Sequence, residues 1–480
     1  MKSKKLLSTI LLLSILTLQG VNIGVNKVHA DSNQVQDITR LGGADRFDTS
    51  AKIASYGWSH SDNVVLADAE GNDAFADAIT GTSLAYYLDC PILLTNVNST
   101  PDVIKQEITK LGAKNIYILG GTGVVSKSQE NLLKSSGYNV KRISGLDRYE
   151  TACKAADELN SKSKITKVYI APGNSFQYAL TAAPYAAREN AAILFADGNS
   201  LNNITKNELV KLGIKDVSII GTYSSYTIES QLKTLGINYL RVNGTTCQSV
   251  ASNLMNVNGN NVSGMAVASD SIFPDALSGS VIAAKNNYSI LLTGKNFNYT
   301  VNDNMKHAII YGQAGAVSES IENHIKNAGY TKDISDDEIY QLYENSQVVV
   351  EDIFLSIDRK EKIYSDNGKL YFPTSQQYST KEKIENSISN YYTKDYVPTI
   401  MKRIPFATIN DRGVLPEGNI GWMFIDSKET LKSRNNIDSN TIEVNYAETS
   451  SMMLNISNIK VTLKFEDNRW KIFNIERFDQ

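Results

Sequence analysis

The chain has 480 residues, enough for several domains, and a formal net charge of -3. Its first thirty residues carry four lysines and no acid, so their removal leaves -7. That balance argues against nucleic acid as a partner, because neutralising phosphates needs a basic face.

At the start, Lys2, Lys4 and Lys5 precede an apolar run over 6–18, and Val28-His29-Ala30 offers a small-residue cleavage site before Asp31. The pattern predicts an export signal over 1–30, since the run is shorter than the roughly 20 residues of a membrane span. No later apolar stretch reaches that length. The expectation is an exported chain with no membrane span once the signal is removed.

A repeat follows. Arg40-Leu-Gly-Gly-Ala-Asp-Arg-Phe-Asp-Thr-Ser50 returns as Arg142-Ile-Ser-Gly-Leu-Asp-Arg-Tyr-Glu-Thr-Ala152 and, degraded, as Arg241-Val-Asn-Gly-Thr-Thr-Cys-Gln-Ser-Val-Ala251. The spacings of 102 and 99 residues exceed the roughly 20–50 of a solenoid unit. A whole small domain is therefore used three times, over 36–141, 142–240 and 241–330.

Within the first copy, 63–67, 91–95, 115–119 and 139–143 read as strands. The segments 75–88, 101–111 and 126–136 read as helices, with Ser99-Thr100 and Pro101 suited to open the second and Ser126 to cap the third. The second copy repeats the strands at 168–171, 192–195 and 217–221, and the third at 264–268, 289–293 and 308–312. Continuous apolar strands separated by helices predict α/β modules, each with a parallel sheet covered on both faces.

Beyond about 330 the texture changes. A polar joint over 331–338 leads to a helix over 339–358, a hairpin over 362–372 turning at Asp366-Asn-Gly368, and a helix over 379–392. Ser379-Thr-Lys-Glu382 has capping-box spacing. A further helix over 394–404 contains Pro398, and strands follow at 420–425, 442–447, 454–465 and 469–476, with the last turn at Asp467-Asn468. This predicts an α+β domain over 336–480.

The Arg-x-x-Gly-x-Asp-Arg box starts each module. Its Gly permits a tight strand exit, and Asp45 and Asp147 can cap the next helix. Arg46 and Arg148 can pair with the adjacent Asp or reach an external anion; the third copy holds Thr246 and Cys247 instead. A second box, Phe75-Ala-Asp77-Ala-Ile79, Phe176-Gln-Tyr178-Ala-Leu180 and Phe273-Pro-Asp275-Ala-Leu277, follows a strand and a polar loop. Loops at the carboxyl ends of parallel strands form the usual binding rim, which puts Asp77 and Asp275 near it. Helix capping is the structural alternative, and Tyr178 argues against a catalytic pair. Gly120-Gly-Thr-Gly-Val-Val-Ser126 lacks the Gly-Lys-Ser/Thr ending of a phosphate loop, so no nucleotide is expected.

The residues that are missing narrow the chemistry. Of the histidines, His29, His60, His307 and His324, none lies in 336–480, nor does any of Cys90, Cys153 and Cys247. The three cysteines suit buried apolar positions better than a disulfide framework. No zinc spacing and no Cys/His or Ser-His-Asp set is available to the last domain. No metal, cofactor or catalytic residue is expected. A glycosidase built on two carboxylates stays open as an alternative.

With these residues in view, the three copies resemble the clostridial cell wall binding repeat, type 2. The resemblance rests on the two boxes, the Ile-Leu-Leu strand and the Gly-Gly-x-x-x-Val-Ser turn. It implies three Rossmann-like or toprim-like units packed as a pseudo-threefold trimer, anchoring a surface-layer-associated protein non-covalently to an anionic, teichoic-acid-like polymer or polysaccharide of a Gram-positive wall. It also implies a part in attachment for Ile92-Leu93-Leu94, Ile193-Leu194-Phe195 and Ile290-Leu291-Leu292. An aliphatic strand cannot itself hold a phosphate, so Arg46 and Arg148 are the better candidates for contact.

Residues 336–480 resemble the IseA family of DL-endopeptidase inhibitors. The matching pieces are Asn367-Gly-Lys-Leu-Tyr371, Ser379-Thr-Lys-Glu-Lys-Ile384 leading to Tyr391-Tyr-Thr-Lys394, and Val461-Thr-Leu-Lys-Phe-Glu-Asp-Asn-Arg-Trp-Lys-Ile472. NTF2-like and cystatin-like folds share the last. The domain has 18 basic and 23 acidic residues and could block a peptidase by surface complementarity. The expected partners are the wall polymer, a peptidoglycan endopeptidase and surface-layer proteins. The alternatives are a wall hydrolase and a host-facing adhesin.

Overall fold

A computed structural model describes residues 35, 37–70, 75–223, 225–244, 246–259, 261–294, 299, 304–327, 334, 336–358, 361–375, 378–416, 427–450, 457–466 and 469–479. The expected export signal, the strand at 420–425 and the turn at 467–468 lie outside them.

The first stretch runs β1 (Asp37–Leu41), α1 (Arg46–Gly57), β2 (Asn63–Asp68), α2 (Phe75–Thr80), α3 (Thr82–Tyr87), β3 (Ile92–Thr95), α4 (Asp102–Leu111), β4 (Asn115–Leu119), α5 (Lys127–Ser135) and β5 (Asn139–Ile143). The second runs α6 (Arg148–Lys162), β6 (Lys167–Pro172), α7 (Phe176–Arg188), β7 (Ala192–Ala196), α8 (Asn203–Leu212), β8 (Asp216–Ile220), α9 (Thr227–Thr234) and β9 (Asn238–Val242). The third runs α10 (Cys247–Val257), β10 (Gly264–Ser269), α11 (Phe273–Lys285), β11 (Tyr288–Thr293), β12 (His307–Tyr311) and α12 (Glu319–Asn327).

These strands build three parallel four-stranded sheets, ordered β3-β2-β4-β5, β7-β6-β8-β9 and β11-β10-β12-β1. The central strands are buried on both faces, which is why they read as unbroken apolar runs. The third sheet takes its edge strand from the start of the chain: Asp37 to Leu41 pair with His307 to Tyr311. Each box thus joins a strand in one sheet to a helix on the next, and β1 closes the series into a pseudo-threefold ring.

Helices α7 and α11, which carry the second box, and α3, which follows it in the first copy, pack against one another. Their contact faces are small. Their buried residues include Thr82, Ser83 and Ala85 on α3, Ala179, Ala182, Ala183 and Ala186 on α7, and Ser278, Ser280 and Ala283 on α11. The Thr82 and Ser280 hydroxyls bond across the seam at 2.9 Å, and the Tyr185 hydroxyl donates to Ser289 Oγ at 3.2 Å. Small residues let three helices share one axis without voids.

The expected helix over 75–88 is two helices, α2 and α3, broken at Gly81, where a Cβ would lie 2.1 Å from Leu119 Cδ1. Pro101, rather than Ser99 or Thr100, holds the cap position of α4, and no side chain caps it.

The last part begins with α13 (Asp336–Leu355), then β13 (Ile363–Tyr364), β14 (Leu370–Pro373), α14 (Lys381–Ser389), α15 (Val397–Arg403), β15 (Ala407–Ile409) and β16 (Arg412–Pro416). Four long strands follow: β17 (Ser427–Asp438), β18 (Thr441–Ser450), β19 (Ser457–Glu466) and β20 (Arg469–Asp479). They form two antiparallel sheets, β13-β14-β16-β15 and β17-β18-β19-β20. The core is rich in tyrosine. Tyr343 stacks on Tyr446 with ring centroids 6.0 Å apart, and the buried Tyr392 hydroxyl donates to the Ser346 carbonyl at 3.0 Å. The segment 391–393 is tied to β20 by Thr393 N–H to Ile472 O, 2.9 Å, and Ile472 N–H to Tyr391 O, 2.8 Å.

Thr380, not Ser379, caps α14, accepting from Lys383 N–H at 3.2 Å. Helix α15 starts at Val397, so Pro398 falls in the first turn, where its missing N–H costs nothing. Strands β15 to β17 are additions to the sequence reading. The first two turn at Asn410 and Asp411, both left-handed, and β17 is a polar edge strand with no apolar alternation to reveal it.

The box glycines make a measurable demand. A Cβ on Gly145 would lie 2.3 Å from Glu150 Cβ and 2.6 Å from its carbonyl carbon, whereas one on Gly121 meets nothing within 4 Å. Gly145→Ala is expected to destabilise by about 1–3 kcal/mol and Gly121→Ala to be nearly neutral, read by urea denaturation. Equal effects would contradict the close approach.

Candidate functional site

The site is built at the joints between sheets. The leading arginine of each box locks the loop that follows the neighbouring strand. Arg142 donates through Nη1 to the carbonyls of Gly120 (2.8 Å) and Gly121 (3.0 Å), and through Nη2 to Val125 O at 2.8 Å. Its Nε bonds Glu130 at 2.8 Å. Arg40 repeats this with Gly312 O, Val317 O and Glu322, and Arg241 with Tyr223 O and Glu229. The glycine loop therefore points carbonyls at a cation, whereas a phosphate cradle presents N–H groups. Burial pushes the Glu130 carboxyl up, but bonds to Lys127, Lys134 and Arg142 outweigh it and hold the group at about 2. This clamp is absent from the sequence reading. Its signal was a Ser-x-x-x-Glu spacing common to Ser126/Glu130, Ser225/Glu229 and Ser318/Glu322.

The rest of the box caps the next helix. Asp45 accepts from Phe47 N–H at 2.9 Å and Asp48 N–H at 2.8 Å, and Asp147 accepts from Glu150 N–H at 2.8 Å. Asp48 and Glu150 reach back to Ala44 N–H and Leu146 N–H, each at 2.8 Å. In the third copy Thr246 and Ser249 form a reciprocal capping box, Ser249 accepting from the Thr246 N–H itself, so the capping role survives there.

The carboxylates of the second box sit across these joints. Asp77 lies against Gly120, accepts from Thr151 and faces Arg148; Asp275 lies against Gly312, accepts from Thr49 and faces Arg46. Asp275 is not a cap, because the cap position of α11 belongs to Ile272. At the third joint Tyr178 covers Gly221 and bonds Thr222 beside Cys247, while Val250 stands where the threonine would be. The degraded third box and the odd second box are thus the two sides of one joint. An Asp–Arg–Thr contact is replaced there by Tyr–Cys–Val.

Arg46 and Arg148 reach across the joint rather than only along their own box. Each staples the loop after the next sheet's central strand, through Nη1 to Ala69 O and to Gly173 O. Arg46 stays exposed and Arg148 half-buried, at the carboxyl edge of the strands. Gln177 Nε2 donates to Asp270 O at 3.2 Å, bringing the rims of the second and third sheets together. Ile92, Leu93, Leu94, Ile193, Leu194, Phe195, Ile290, Leu291 and Leu292 are at most 1% exposed. They have no surface to offer a ligand, which limits them to positioning the loops beyond them. Cys90, Cys153 and Cys247 are buried and free, and burial pushes the Cys153 and Cys247 thiols up to about 12. Among the described residues no acid, His and Cys cluster could hold a metal, and no helix is long and apolar enough to cross a membrane.

Two variants test this reading. Arg142→Ala leaves buried Glu130 and three carbonyls without their shared donor; it is expected to cost about 3–5 kcal/mol by denaturation, and Arg142→Lys to recover little of it. Burial pushes Asp275 and Asp77 up to about 6, against Arg46 with Thr49 and Arg148 with Thr151. The folded state then holds protons that the unfolded chain releases near 4, so the ionised groups weaken the fold as pH rises from about 4 to 6. Asp275→Asn is expected to match the parent near pH 4 and exceed it by up to about 3 kcal/mol at pH 7. Parallel stability–pH curves for the two proteins would contradict this.

The chain is matched by two families: Cell wall binding domain 2 (CWB2) at residues 40–130, 142–228 and 241–322, and the IseA DL-endopeptidase inhibitor at 330–477. It is 31% identical over 300 residues to the N-acetylmuramoyl-L-alanine amidase LytC of Bacillus subtilis (strain 168), covering 60% of this chain and 58% of that protein. It is 29% identical over 331 residues to the amidase enhancer of the same organism, covering 67% and 44%. Among solved structures it is similar to Cwp6 from Clostridium difficile, at 29% identity and TM-score 0.56 over 61% of this chain and 48% of that one. Cwp8 from the same species follows at 25% and 0.53, over 60% and 51%. The chain spans about half the length of the relatives it matches. With three repeats that fill more than half its length, it belongs to the cell wall binding domain 2 (CWB2) family and carries an IseA DL-endopeptidase inhibitor domain after them.

Proposed function

We propose that this is an exported, non-catalytic wall protein: the ring grips an anionic wall polymer, and the last domain restrains peptidoglycan DL-endopeptidases. The observation that carries the reading is the union of the two families in one chain. Three linked modules sum weak contacts into a firm hold, so one weaker joint is tolerated. Arg46 and Arg148 are the polymer contacts in this reading, because they are cations at the rim with exposed surface beyond their carbonyl acceptors. The amidase and the amidase enhancer among its relatives favour a place beside wall hydrolases.

The purified chain, added to a DL-endopeptidase digesting isolated walls, is expected to slow release of soluble fragments and to release none alone. Digestion by the chain alone would favour a hydrolase. The Arg46→Ala/Arg148→Ala variant is expected to keep its fold but to wash off walls at lower salt, since exposed charge contacts are screened. Unchanged retention at an unchanged melting temperature would move the polymer site away from these arginines.

A further inference from the structure

The IseA-like domain rests on the second and third modules through a seam with little packing. Lys233 on α9 pairs with Asp358 at 2.7 Å, and beside it Arg412 pairs with Glu361. At the other end Asn390, following α14, donates to Asn256 Oδ1 on α10 at 3.0 Å. At the Lys233–Asp358 pair lies a cavity of about 170 Å³, lined also by Tyr226, Tyr239 and Arg241 from the ring and by Ile357, Ser375 and Tyr378 from the domain. Ser375 Oγ is buried there without a hydrogen-bond partner among the described residues.

Close-packed interiors leave few voids larger than a water molecule, so this seam is unlike either hydrophobic core. The side chains of Lys233 and Asp358 are 50% and 23% exposed. Pairs of that kind are screened by salt and shift an equilibrium by about five-fold at most. Interfaces of this type within a chain behave as transient ones. Against this, only eight residues of sequence separate Asn327 from Asp336, and so short a connection keeps the two bodies at a high effective concentration. Weak contacts and a short tether together give a docked state that opens and closes.

We propose that the second and third modules form a docking seat for the chain's own IseA-like domain, held by a salt-sensitive latch of Lys233 and Asp358 that opens without unfolding either body. Resting on the function proposed above, the latch lets the ring stay on the polymer while the domain swings out to enzymes at varying distances.

Small-angle scattering of the full chain at about 50 mM and about 500 mM salt tests this, since the Debye length falls several-fold across that range. A larger radius of gyration is expected at high salt, with an unchanged circular dichroism spectrum. Lys233→Glu and Asp358→Lys are each expected to favour the open form by about five-fold at low salt, and the double charge swap to restore the compact form. A radius that ignores salt and all three variants would overturn the latch, as would an extended parent at every salt concentration. Scattering reads neither wall binding nor inhibition, so failure of the proposed function would leave this result standing.

Discussion

The fold depends on strand lending. Each parallel sheet draws its edge strand from the segment that opens the next module, and the third sheet, with no module after it, draws on β1 at the front of the chain. Three four-stranded sheets that would each be marginal alone become one closed ring. The long contact from Asp37 to His307 is the step on which closure turns. The arginine clamp secures the same place, because Arg40 on β1 bonds Glu322 on α12. It pairs a carboxylate and satisfies loop carbonyls with one rigid fork, a geometry lysine cannot reproduce.

The joints also explain how one module can drift. Two of them use a buried carboxylate facing an arginine and a threonine, and the third uses a tyrosine beside a cysteine and a valine. An aspartate without its cation and hydroxyl would be a buried charge with poor pairing. Loss of one side therefore favours loss of the other. Cap chemistry survives through Thr246 and Ser249, so the third helix starts as the others do while the rim loses a cation. The ring is threefold in its backbone and twofold in its rim arginines, a difference that matters for any polymer lying across it.

Much of this was legible in the chain. Strands buried on both faces announce themselves as apolar runs, and three aligned copies made the parallel sheets readable. Asp45 and Asp147 were readable as caps because capping is local, set by residues two or three apart. The clamp was harder to see: Arg142 and Glu130 are close in sequence, but Arg40 and Glu322, which touch in the ring, lie 282 positions apart in the chain. The polar edge strand β17 was missed because period-two alternation needs one buried face. Ser379 was expected to cap a helix that Thr380 caps, a one-residue difference that local spacing does not resolve.

The three modules, the parallel sheets and the distinct last domain follow from the order of residues alone, because hydrophobic period, turn residues and repeated boxes act over a few residues or a few turns. Packing settles which sheet owns β1, that Asp77 and Asp275 face arginines of the neighbouring module, and that the Ile-Leu-Leu strands have no surface left to offer. Those facts are set by burial and by contacts between residues tens to hundreds of positions apart, and burial is a property of the packed whole.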